Sequence, residues 1–387
     1  MREELFKKIP KQVFLLGVIS FFTDFASEML YPIAPLFLTV TLGASMATVG
    51  LIEGIAEITA GLLKGYFGNL SDKLGKRSIF VVIGYSLSSI AKPLPGFFPK
   101  IGTVLGSRIT DRFGKGIRTA PRDAILAAHS DGNSGAIFGF HRGMDTLGAV
   151  IGPVTALILL NFLHSSYQQV YIYAIIPSIF AIIFTFTIKD VKTKRDVNNK
   201  LTYGEFWKSA PDEYKKLLYL VIIFSLVNSS DVFLILKSKS ISSSDTLAIG
   251  GYVFYNIIYA FASYPIGIFA DKIGKKNVFV LGIFIFSFVY LGFALFSNNI
   301  IVFILFAFYG LYSSTNEGII KAWISDITQH EYLGSAIGLL TMSSGLSIML
   351  GSIIAGILWD SFGSTVPFLV TSAVSFIVGI LIYFLKK

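Results

Sequence analysis

Gly68-x-x-x-Asp72-Lys73-x-Gly75-Lys76-Arg77 and Gly267-x-x-x-Asp271-Lys272-x-Gly274-Lys275-Lys276 are two copies of one pattern, displaced by 199 residues at every position. The same displacement carries Gly139 onto Gly338 and Gly152 onto Gly351. The 387 residues therefore read as a duplicated sequence. An apolar run of about 20 residues can cross a bilayer as a helix. Such runs fall at 12–41, 46–66, 78–97, 100–120, 135–162 and 168–188 before the polar stretch 189–214. They resume at 215–236, 246–270, 277–296, 299–326, 333–358 and 364–385. The expected fold is an all-α membrane protein of 12 transmembrane helices. Residues 1–188 and 215–387 form two pseudo-symmetric six-helix bundles, and 189–214 is a cytoplasmic linker.

Composition agrees. Hydrophobic residues make up 53% of the chain and charged ones only 14%, against roughly 25% charged in soluble domains. Without cysteine, disulfides and thiolate metal sites are excluded. His129, His141, His164 and His330 lack ligand spacing, so neither a metal nor a prosthetic group is expected. The net charge of +9 does not point to nucleic acid, because the basic residues have an address. With a cytoplasmic N-terminus, most Lys and Arg flank the spans on one side, among them Lys7, Lys8, Lys76, Arg77, Arg118, Arg122, Lys192, Lys194, Arg195, Lys275 and Lys276. The other side receives Lys92, Lys100, Lys237 and Lys239. By the positive-inside rule, both termini are cytoplasmic in a multi-pass protein of the cell (inner) membrane. The first run holds Asp24 and Glu28 and has no A-x-A site, unlike a cleaved signal.

Two like-oriented six-span copies imply a pseudo-two-fold axis along the membrane normal, the arrangement that alternating access uses. Here the chain resembles the major facilitator superfamily. Gly68 to Arg77 is similar to that superfamily's loop after its second helix, G-x-x-x-D-[RK]-x-G-[RK]-[RK], and the second copy repeats it. Gly148-x-x-x-Gly152-Pro153 resembles the helix-five motif of antiporter-type members, and Arg112-x-x-x-Gly116 is a looser match to the helix-four motif. Gly351 is followed by Ser352, so the second half lacks the proline. The resemblance implies a secondary transporter, driven by an ion gradient (expected to be protons) and working as a monomer. It also implies a cytoplasmic gate latched by Asp72; the competing reading gives the loop only an orienting role through Lys76 and Arg77.

Charges at mid-bilayer cost on the order of 2.5–3.5 kcal/mol by insertion scales, so each needs a partner, water or a purpose. Span one has Asp24 and Glu28, with Ser27 and Tyr31 on the same face; span two has Glu53 and Glu57. Arg108, Asp111, Arg112 and Lys115 form one stripe of span four, and His141, Arg142 and Asp145 lie in span five. The second half reads as hydrogen-bonding and aromatic instead: Tyr252, Asn256 and Tyr259 in span eight, Tyr309, Tyr312 and Asn316 in span ten, with Ser225, Asn228 and Ser229 in span seven. Asp24, Glu28, Glu53, Glu57 and Asp145 are proton-coupling candidates, since a carboxylate in a low-dielectric cavity can titrate near neutral pH. Arg108, Asp111, Arg112, His141, Arg142, Tyr252, Asn256, Tyr312 and Asn316 are candidates for the substrate cavity. The competing reading is a static network in which Arg112 pairs with Asp111 and Arg142 with Asp145.

An enzyme finds no support: there is no HExxH and no GxSxG, and Gly75-Lys76-Arg77-Ser78 lacks P-loop spacing. A channel has no need of a duplicated half with a latch loop. A receptor that transports nothing stays open on sequence grounds. The helix-five motif leans toward proton-coupled efflux of a small solute. The mixture of Arg, Asp and Glu leans toward a charged or zwitterionic metabolite, whether exported or imported.

Overall fold

The structure is a computed structural model that describes residues 9–129, 134–190, 203–328 and 333–385. No strand occurs among the described residues. The long helices are α1 (Lys11–Leu30), α2 (Met46–Leu74), α3 (Arg77–Ala91), α4 (Ile101–Ala128), α5 (Ser134–Asn161) and α6 (Ile175–Thr185). They continue as α7 (Asp212–Val227), α8 (Asp245–Ile273), α9 (Lys275–Leu295), α10 (Asn299–Ile327), α11 (Leu333–Phe362) and α12 (Thr365–Tyr383). Eleven of the segments they build are long and apolar enough to cross a bilayer. The twelfth, α4, is excluded by its charges and not by length: its 28 residues rise about 42 Å. Side chains such as Phe261, 79% exposed, coat the outside with apolar surface, which suits lipid.

Four spans read as continuous are interrupted: span three between Ala91 and Leu94, span six at Ala174, and also spans one and seven. Span one ends as regular α-helix at Leu30 and resumes at Ile33–Leu36, followed by a π-turn at Phe37–Thr41. Pro32 and Pro35 supply no backbone N–H, which explains the break. Span seven stops at Val227 and restarts as Val232–Ser242. Here no proline acts. Asn228 leaves the helical region, at φ −81° and ψ 77°, and the Ser230 N–H turns to the Ser352 hydroxyl at 3.1 Å.

The duplication is visible in the packing. α1 packs on α5 and α6, and α3 on α4 and α6; in the second half α7 packs on α11 and α12, and α9 on α10 and α12. The loop motif repeats in detail. The Gly75 N–H bonds Ser71 O, and the Gly274 N–H bonds Ala270 O, each at 3.0 Å. Both glycines take positive φ, +64° and +96°. That left-handed turn ends one helix and starts the next without a Cβ clash. The side chains of Asp72 and Asp271 lie outside the described residues, and with them the expected gate latch.

By contacts the chain divides into two compact units, 1–43 with 59–196 and 44–58 with 197–387. The start of α2 thus groups with the second half, where sequence alone puts it in the first. The reason is local. The Asp360 carboxylate accepts from the backbone N–H groups of Met46 and Ala47, at 3.0 and 2.8 Å, and so caps the positive end of α2. Gly54 and Gly356 allow the backbones to close in beside it.

Alanine at 75 or 274 forces an L-residue into the left-handed region, at roughly 1–3 kcal/mol. Gly75→Ala and Gly274→Ala should each lower the unfolding temperature in detergent. Unchanged melting in both variants would refute the turn's role.

Candidate functional site

In the first unit α1 and α4 bring their polar faces together. Asp24, Ser27, Glu28 and Tyr31 from α1 and its end line one pocket with Arg108, Asp111, Arg112, Lys115 and Arg118 from α4. The pattern follows from helix geometry: residues three and four apart share a face. Two cations are steered by rings. The Arg108 guanidinium stands 5.5 Å from the centre of Tyr31, and that of Arg118 stands 4.4 Å from Tyr85. Arg118 is buried and lines the pocket with Lys115, so neither is merely a charge that orients the chain.

The internal pairs differ from those of the competing static-network reading. Asp111 pairs with Lys92 at 3.5 Å and accepts from the Ser88 hydroxyl, where that reading paired it with Arg112. Lys92 also bonds the Thr23 carbonyl and is 3% exposed. It is therefore an interior charge of span three and no loop charge. Asp145 pairs with His141 at 3.5 Å and not with Arg142, which points to an exposed position. The physical reason is reach: on α5 His141 is one turn before Asp145, on the buried side. His141 Nε2, Asp145 Oδ1 and Arg112 Nε are buried with no hydrogen-bond partner among the described residues. Asp24 and Asp145 are near enough to influence each other electrostatically.

The helix-five glycines explain that proximity. A methyl group at position 148 would stand 2.6 Å from the Phe21 carbonyl oxygen and 3.2 Å from Asp24 Cβ. At 152 it would stand 2.7 Å from the Phe25 carbonyl oxygen and the Met29 nitrogen. α5 thus lies backbone to backbone on the stretch of α1 that carries Asp24 and Glu28. Gly351 repeats the contact on α7, against the Leu226 carbonyl oxygen.

Glu53 and Glu57 do not join this pocket. They lie in the stretch of α2 that groups with the second unit, Glu53 buried and Glu57 exposed. Their field falls on Asp231, a residue the sequence reading passed over. Asp231 Oδ1 accepts from the Tyr309 hydroxyl at 2.6 Å and Oδ2 from the Tyr255 hydroxyl at 3.3 Å. The second half is therefore not free of ionic chemistry. The available signal was a single acid in the apolar run of span seven, directly after Asn228-Ser229-Ser230. The expected cavity residues here are mostly packed. Tyr252 and Tyr312 are buried, and the Tyr312 hydroxyl accepts from the amides of Asn228 at 3.3 Å and Asn316 at 2.7 Å. The Asn256 amide bonds the Tyr252 carbonyl on its own helix. No cluster of metal-ligating residues is found among the described residues.

Comparisons with known proteins agree with the duplicated helical fold. The family model described as Major Facilitator Superfamily matches residues 16–240 and 218–387. An uncharacterized MFS-type transporter of Methanocaldococcus jannaschii is 36% identical over 386 residues, covering 98% of this chain and 96% of that one. A second MFS-type transporter from the same organism is 25% identical, over 97% and 98% of the two chains. Among solved structures, a mutant of the nucleoside transporter NupG aligns with TM-score 0.85 at 14% identity, covering 97% of this chain and 100% of that one. A D-xylose-proton symporter aligns with TM-score 0.76 at 12% identity, covering 97% of each. These structures speak for the fold alone. The chain belongs to the major facilitator superfamily: it is a multi-pass membrane protein and a secondary transporter of that type, not an enzyme.

Two substitutions test the construction of the site. Lys92→Met leaves Asp111 buried without its cation, which costs about 3–5 kcal/mol. The unfolding temperature should fall sharply, and Asp111→Asn in the same chain should restore part of it. Gly148→Ala should also lower thermal stability, through the overlap with Phe21. Wild-type melting in either single variant would contradict the contacts described.

Proposed function

We propose that this transporter is a proton-coupled antiporter that exports a small zwitterionic solute from the cytoplasm. One observation carries the reading: in the first-unit pocket, a carboxylate pair on α1 faces a basic stripe on α4. With Asp111 held by Lys92, the pocket retains Arg108, Arg112, Lys115 and Arg118 against Asp24 and Glu28. That surplus suits a carboxylate or phosphate, for which guanidinium groups offer planar, bidentate bonding. Asp24 is the coupling residue in this scheme. A zwitterionic solute sets its anionic group on the α4 cations and its cationic group on ionised Asp24; when Asp24 takes up a proton that partner is lost and the solute leaves, so proton and solute occupy the site in turn, as antiport requires. Export is supported by the Gly148–Gly152–Pro153 motif, which resembles that of antiporter-type members and seats α5 beside Asp24. The Lys and Arg distribution supports a cytoplasmic membrane with both termini inside. The gradient is the only driving partner, and one chain holds the whole pocket, in keeping with a monomer.

The solute class is tested first. Purified protein is melted against a panel of anionic, zwitterionic, cationic and lipophilic compounds. A ligand at 100 times its Kd stabilises by roughly 2.7 kcal/mol. Zwitterionic hits are expected; a response to lipophilic cations alone would sink the substrate class. In proteoliposomes, an imposed pH gradient should then drive the hit uphill. Asp24→Asn should abolish that drive while leaving melting intact. Undiminished pH-driven flux in the variant removes Asp24 from the scheme. The polarity of the effective gradient separates antiport from proton-driven import through the same pocket.

A further inference from the structure

Asp231 has the opposite setting from the other interior carboxylates. Asp111 has Lys92 and Asp145 has His141, but no Lys, Arg or His pairs with Asp231 among the described residues. Lys237, the next lysine along its segment, is committed to the Ser364 hydroxyl at 2.9 Å. What faces Asp231 is acid and phenol. Tyr255 comes from α8, Tyr309 and Tyr312 from α10, Tyr290 from α9, and Glu53 and Glu57 from the start of α2. All belong to the second unit. A carboxylate among apolar rings, with further acids beside it and no cation, is costly to keep ionised.

We propose that Asp231 is a second proton-binding residue, and that its proton governs how the break in span seven is tied to α8 and α10. The occupant is a proton and not a metal ion for two reasons. Both carboxylate oxygens already receive a phenolic O–H, which presents hydrogen and not a lone pair to any cation. The cage is also close-packed: Tyr255 and Tyr309 lie with ring centres 5.0 Å apart, and Tyr309 is 2% exposed. Hard cations need six or more oxygen ligands with room around them. Protonation has a defined structural consequence. Ionised, Asp231 accepts from both tyrosines. Protonated, one oxygen becomes a donor, so one tyrosine must turn its hydroxyl proton elsewhere and accept instead. Because Asp231 sits where span seven is already unwound, the exchange reaches backbone that no helical ladder holds.

The role of this proton in transport rests on the proton-coupled reading above; its presence does not, and the test reads presence alone. Infrared difference spectra of the full chain in lipid vesicles are recorded as pH is stepped, without substrate. A protonated carboxyl gives a carbonyl band that shifts in D2O. Asp231→Asn should remove one such band, and Asp24→Asn should leave that band in place. Tyr309→Phe keeps the shape of the cage but removes a donor to the ionised form. In that variant the band should persist to a pH higher by about one to two units, since a hydrogen bond to a charged group is worth roughly 1.5–3 kcal/mol. No band lost in Asp231→Asn, and no displacement in Tyr309→Phe, would overturn the proposal. So would a band that responds to added sodium at fixed pH, which would make a metal ion the occupant. Loss of pH-driven flux in Asp24→Asn with the Asp231 band intact leaves both readings standing. Intact flux in Asp24→Asn removes only the first.

Discussion

An ion in hydrocarbon must be matched by another charge, by hydrogen-bond donors or by water, and this single demand organises the interior of the protein. Each half answers it differently. The first unit balances acids with bases: Asp111 with Lys92, Asp145 with His141, and the α1 carboxylates with the α4 cations across an open pocket. The second unit uses neutral donors, two phenols on Asp231 and two amides on Tyr312. A lysine in direct contact, as Lys92 is with Asp111, holds an acid permanently charged and makes it a poor proton carrier. Phenols leave it free to exchange. The duplicated scaffold thus offers two kinds of carboxylate environment within one fold.

The scaffold itself rests on small residues. The helix pairs that recur in both halves include one seam, α1 on α5 and α7 on α11, closed by glycine in each copy. Without a hydrophobic driving force between helices in lipid, close van der Waals approach is what holds such a seam. The proline that follows Gly152 has no counterpart after Gly351, and the seam forms in both places. The glycine is therefore the shared element, and the proline an addition peculiar to the half that carries the ionic pocket.

Much of this was legible in the sequence. The 199-residue repeat fixed the architecture, because identical turns need identical glycines: Gly75 and Gly274 both take up the left-handed backbone that their motif implied. The stripe on α4 and the pair on α1 were legible because helical spacing alone puts them on one face. Partner choice was not. Whether Asp111 meets Arg112 or Lys92 depends on the approach of α3, which no periodicity encodes. The grouping of 44–58 with the second half hinges on one carboxylate more than 300 residues away in sequence, Asp360. Asp231 went unread because it stands alone: a lone acid in an apolar run makes no stripe, and its tyrosines come from two other helices.

The glycine seam has one further consequence, for how the chain can drift over evolutionary time. At most buried positions a side chain can shrink or grow, and neighbours repack to suit. At 148 and 152 nothing smaller exists, and anything larger strikes a main-chain carbonyl or amide that cannot rotate aside. Tolerance there runs in neither direction. The register of α5 against α1, and with it the spacing of Asp24 from Asp145, is anchored by the two residues that carry no side chain at all.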